Sequence, residues 1–131
     1  MLTAFVDGSY AKQGGWAAIV RGDKNYEIGG RFECKDNYEA ELCAVYKALE
    51  SSEGKISIVC DHAAIVDGLM CIKECGAGWY PPEKCHSLWL KVMYEAHHKL
   101  ESVKWVRGDS LPEMKMAHKM ANTHAQIERG R

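Results

Sequence analysis

The spacing of apolar residues changes period near residue 37, and that change limits the folds open to this chain. Before it, residues 2–7, 15–21 and 25–33 alternate or run apolar in the manner of strands. Gly22-Asp23 separates the second and third runs, a two-residue connection of the kind that closes a tight hairpin. Ala11-Lys12-Gln13-Gly14 joins the first two, so three antiparallel strands are expected at the start. After the change, Leu42, Val45, Tyr46 and Leu49 fall at helical spacing, which predicts a helix over 37–50. Asp36 with Glu39 three residues on makes a capping-box start. Glu41 then lies within the first two turns, at the border of the buried face.

Ser51–Gly54 breaks this helix. Lys55–Cys60 reads as a compact strand ending on Asp61, and His62–Val66 opens a short helix. A strand–helix–strand order makes this part of the sheet parallel, with ligands expected beyond the strand C-termini. Gly76–Pro82 is a loop, and Pro82 suits the first turn of a helix running to about Leu100. Trp89, Val92, Met93 and Ala96 form its inner stripe. Ser102–Val106 is the last strand and Arg107–Pro112 a polar loop. A final helix runs from Glu113 to about Gln126, with Met114, His118, Ala121 and Ala125 on one side and its methionines read as core filler. The length of 131 residues suits one domain, assigned to residues 1–127, with Glu128–Arg131 as a loose tail.

Composition narrows the function classes. A net charge of −1 gives no global pull toward nucleic acid, so such binding needs a local patch or bound cations. No apolar run approaches the roughly 20 residues of a membrane span. Met1–Ala4 lacks a basic region, so no secretory signal is expected and a cytoplasmic location is. The six cysteines read as reduced thiols, since the core needs no staples. Cys71, Cys75, Cys85 and His86 form a weak zinc alternative whose spacing matches no standard pattern.

The chemistry-bearing residues are acids at element ends. Phe5-Val6-Asp7-Gly8-Ser9 reads as a buried strand delivering a carboxylate into a cleft, and Cys60-Asp61 repeats the device. Alone, each aspartate is an ordinary turn or helix-cap residue and Glu41 a solvated helix edge. Together they offer hard oxygen ligands for Mg²⁺ or Mn²⁺. Without metal, three packed carboxylates repel and raise one another's pKa, which makes a purely structural role for the trio a poor reading.

The order β-β-β-α-β-α-α-β-α, carrying Asp7, Glu41 and Asp61 in sequence, resembles type 1 ribonuclease H over nearly the whole chain. The local matches are Phe5–Ser9, Gly14-Gly15-Trp16-Ala17-Ala18, Asn37 through Glu41-Leu42, Asp61 with Gly68, and Lys104–Gly108. Related integrases and transposases run Asp, Asp, Glu. Proofreading exonucleases carry Asp-x-Glu on the first strand, where this chain has Asp7-Gly8-Ser9. The resemblance implies an α/β fold with a five-stranded mixed sheet flanked by helices. It also implies metal-dependent endonucleolytic cleavage of the RNA strand of RNA/DNA hybrids, giving 5′-phosphate ends. Two divalent ions, Mg²⁺ or Mn²⁺ with Mn²⁺ favoured, would sit roughly 4 Å apart.

On that resemblance Asp7 bridges both ions, Glu41 and Asp61 complete the coordination of one, and His118 that of the other. His118 stands where the family carries a fourth aspartate, and Asp109 lies nearest the family's loop histidine; both join the candidate catalytic set. Gly8, Ser9 and Asn37 match substrate-binding positions, with Glu41 also set against a 2′-hydroxyl. Lys12 and Gln13 are candidates for a phosphate pocket and Trp79 for contact with the DNA strand. Ala63 replaces a family glutamine and Tyr38 a second asparagine, so weak, salt-sensitive binding is expected. The implied partner is the hybrid itself, with no membrane and the chain acting as a monomer. The rival expectation is a nucleic-acid-binding module that kept the fold and lost catalysis.

Overall fold

The computed structural model describes residues 1–127, and the expected tail from Glu128 onward lies outside them. Strands β1 (Leu2–Tyr10), β2 (Gly14–Gly22) and β3 (Tyr26–Phe32) form an antiparallel meander. Strands β4 (Ile56–Cys60) and β5 (Leu100–Trp105) add in parallel, giving the order β3-β2-β1-β4-β5. The helices are α1 (Asn37–Ser51), α2 (Ala63–Cys75), α3 (His86–Lys99) and α4 (Pro112–Gln126). This is the expected mixed sheet flanked by helices.

Two layers of helix cover the two faces of the sheet. The larger core lies under α1, α2 and α3, where Leu42, Val45 and Leu49 of α1 meet Ala4 and Val6 of β1 and Ile56 and Ile58 of β4. Trp89 of α3 is fully buried in it, its indole N–H donating to the Tyr38 hydroxyl at 2.9 Å. The smaller core lies under α4, where Ala117 and Ala121 meet Ala17 and Ile19, with Phe5 and Met120 at its edge. Met114 is buried, whereas Met116 is exposed, so the α4 methionines fill the core only in part.

Local signals act as their chemistry dictates. The Asp36 carboxylate accepts from the Glu39 N–H at 3.0 Å, and the Glu39 carboxylate reaches back to the Lys35 N–H at 2.9 Å. Three details differ from expectation. The β2–β3 connection is Asp23–Asn25, one residue longer, with Gly22 taking the positive φ of 139° and Asn25 accepting its N–H. Helix α3 starts at His86 rather than Pro82, because Cys85 just before it takes a left-handed φ of 58° that a right-handed helix does not contain. Finally, β1 runs three residues past Asp7, so that carboxylate sits within the strand and not at its end.

All six cysteines are free. Burial pushes the Cys34 thiol up to about 11 and the Cys43 thiol up to about 12, so both stay protonated. Among the described residues Cys71, Cys75, Cys85 and His86 form no converging ligand group. None of the described helices is long and apolar enough to cross a membrane.

Candidate metal centre

The site begins with a mismatch in strand length. Strand β4 pairs with β1 only as far as Phe5 opposite Val59 and ends at Cys60. Carried two residues further, that register brings Asp61 level with Asp7. Since β1 continues to Tyr10 against β2 alone, its other edge lies open beside Asp7. Two parallel strands in register point equivalent residues the same way, so the two carboxylates face one another across that gap.

Glu41 arrives from the layer above. Helix α1 lies directly on Gly8, where a Cβ atom would fall 2.2 Å from the Ala40 carbonyl carbon. Only glycine permits that approach, and it lowers Glu41 into the gap. The ligand oxygens of Asp7, Glu41 and Asp61 lie within 4.8 Å of one another. They line a pocket of about 210 Å³ together with Gly8, Ser9, Asn37 and His118.

His118 comes from the opposite face. Helix α4 rests on Gly15, where a Cβ would fall 2.1 Å from the Ala121 carbonyl oxygen. One turn earlier the His118 ring overhangs the sheet and its Nδ1 lies 2.8 Å from Asp7 Oδ2. The ring is mostly exposed while the Asp7 side chain is buried. A separation of this size fits a hydrogen bond, and it also fits neighbouring ligands of one octahedral ion with bonds near ~2.1 Å.

The electrostatics are those of crowded acids. Burial raises the Asp7 pKa first and the Asp61 charge second, opposed by its contact with His118. Glu41 is pushed up to about 10 by burial, then by hydrogen bonding to Asp61 and by the charges of Asp61 and Asp7. Oδ1 of Asp61 is buried with no hydrogen-bond partner, a state that costs free energy unless a cation or donor meets it.

The other sequence-derived positions divide. Ser9 donates to Asn122 Oδ1 at 3.0 Å, and Asn37 Oδ1 accepts the Tyr10 N–H at 2.6 Å, which fixes both at the pocket wall. Gln13 is buried, its amide donating to the carbonyls of His124 and Ile127 at 3.3 and 2.6 Å, so it ties down the end of α4. Lys12 is exposed, and its backbone N–H donates to Ala125 at 3.1 Å. Trp79 packs edge-on to Trp89 with centroids 5.2 Å apart. Asp109 is exposed and accepts from Arg107 Nε at 3.4 Å. None of these four lines the pocket.

Three residues near the site escaped sequence reading. His62 Nε2 lies 3.8 Å from Glu41 Oε2, Asn122 braces Ser9, and the Trp105 indole N–H donates to the Asp61 carbonyl at 2.9 Å. His62 had a signal in its place directly after Asp61 and Trp105 in the Lys104–Gly108 match; Asn122 had none.

Against known proteins, no curated sequence matches the chain. The family model described as RNase H matches residues 1–126. That span takes in β1, α1, β4 and α4, the elements that carry Asp7, Glu41, Asp61 and His118. The chain therefore belongs to the RNase H family.

Proposed function

We propose that the protein hydrolyses the RNA strand of RNA/DNA hybrids, using divalent cations held by Asp7, Glu41 and Asp61. The observation that carries this reading is the convergence of three carboxylates within 4.8 Å in a member of the RNase H family. The donor set fits the cations. All three ligands are hard oxygens, one of them a buried oxygen without a partner, and Glu41 holds its proton unless positive charge arrives. Two bound divalent ions supply an activated water and neutralise charge on the leaving 3′-oxygen.

The chain's own residues do the rest. Asp7, the most buried of the acids and the one that also meets His118, would contribute to both ion positions. Glu41 and Asp61 would complete one position and His118 the other. A neutral imidazole adds no negative charge and suits Mn²⁺ better than Mg²⁺. Gly8, Ser9 and Asn37 meet the wide minor groove of the hybrid, and Glu41 beside a 2′-hydroxyl spares DNA.

The test is a labelled RNA/DNA hybrid incubated with Mn²⁺ or Mg²⁺, with Asp7→Asn as the blank. Fragments carrying 5′-phosphates, absent from the blank, are expected. A second reading, a binding module without catalysis, is favoured by one observation. His118, an imidazole and not a carboxylate, meets Asp7, at the position that the resemblance gives to a fourth aspartate. Hybrid retained without fragments in either metal would establish that reading instead.

A further inference from the structure

Trp105, the last residue of β5, is 47% exposed. Trp16 and Trp89 are buried and Trp79 packs against the core, so Trp105 alone of the four tryptophans presents much of its ring to solvent. Its orientation is nevertheless fixed, because the indole N–H donates to the Asp61 carbonyl oxygen at 2.9 Å. A flat apolar surface is thereby tied to the backbone of a residue that carries one of the three carboxylates. Trp105 pairs with Cys60 across β4 and β5, so it stands at the end of the sheet from which Asp61 emerges, on the side away from β1. The adjoining first turn of α2 offers only Ala63 and Ala64, both exposed and neither able to grip a polar group.

From this arrangement we infer that Trp105 is a substrate-positioning residue, its ring packing against a ribose of the RNA strand on the β5 side of the carboxylates. The inference rests on the hybrid-nuclease reading above. A strand whose phosphate lies over Asp7 and Asp61 and that runs on across the sheet end toward β5 passes this ring. The bases of a paired hybrid are already stacked on one another. What its wide, shallow minor groove offers a ring at the edge is therefore a sugar face. Such a contact is apolar and independent of sequence, and it acts on binding rather than on the chemical step.

The test combines steady-state cleavage of a labelled RNA/DNA hybrid with tryptophan fluorescence. Trp105→Ala is expected to raise KM about five-fold, the scale of one lost aromatic contact. The same variant holds kcat within about two-fold, as loss of uniform binding requires. Trp105→Phe, which keeps a ring without the N–H, recovers most of the parental KM. In an Asp7→Asn background, unlabelled hybrid quenches tryptophan emission, and adding Trp105→Phe removes most of the quench. An unchanged KM in Trp105→Ala, a fall in kcat at constant KM, or an equal quench with and without Trp105 overturns the inference. Those results leave cleavage by the parent standing, whereas a parent that neither binds nor cuts the hybrid overturns both readings.

Discussion

Nδ1 of His118 lies 2.8 Å from Oδ2 of Asp7, across 111 positions of sequence. An exposed imidazole from α4 thus touches the most buried carboxylate of the centre. Through this contact His118 would bear directly on how Asp7 meets a cation, as the proposed function requires.

If His118 ligates a cation, its charge should set metal preference. The parent is expected to cut faster with Mn²⁺ than with Mg²⁺. His118→Asp, by adding a hard anionic ligand, should raise the Mg²⁺ rate by about ten-fold. Initial rates in each metal decide it. Equal rates for parent and His118→Ala in both metals would remove this residue from the ligand set.

Asp7→Asn should separate activity from stability. Loss of this carboxylate is expected to cut the cleavage rate by about 10³-fold or more. The same change removes a buried charge set against Asp61, so the metal-free variant should melt a few degrees above the parent, roughly the shift of 1 kcal/mol in a domain of this size. A lower Tm in the variant would show that the His118 contact outweighs the repulsion.

Glu41 makes metal-free stability depend on pH. Its folded pKa of about 10 exceeds the ordinary 4.5, so folding takes up a proton between those values. This contribution is fully present below 4.5 and is lost as pH rises toward 10. Thermal melts of the metal-free protein should therefore fall steadily from pH 6 to 9, and Glu41→Gln should flatten that slope. Saturating Mn²⁺ should flatten it too, since a ligating carboxylate is held ionised in the fold. Calorimetry of Mn²⁺ binding in two buffers of different ionisation heat should then report proton release.

Gly8→Ala tests how Glu41 is delivered. The new methyl would meet the α1 backbone at 2.2 Å, and backbone gives way only by shifting the helix. A loss of about 1–3 kcal/mol in denaturant unfolding is expected. Cleavage should fall further than stability explains, because Glu41 moves with α1. Parental kinetics in a folded Gly8→Ala protein would show that the close approach does not set the carboxylate's position.

Much of this molecule was legible before any coordinates. Apolar period, the Asp36–Glu39 cap and the breaks at Ser51–Gly54 act over a few residues, so they reveal element order and type directly. They also marked Asp61 as an acid beside a strand end, whereas Asp7, read the same way, lies within β1. Boundaries were less legible, as at Pro82, where a favourable first-turn residue did not start the helix because Cys85 turns left-handed just before His86. Tertiary structure decided the rest. Whether Asp7 meets Asp61 depended on the β1–β4 pairing stopping at Phe5–Val59, two residues short of both, and Glu41 on α1 settling onto Gly8. His118 depended on α4 resting on Gly15, and Trp105 on a single hydrogen bond to the end of a neighbouring strand. These are distances between elements far apart in the chain, and they emerge only when both cores are packed against the sheet.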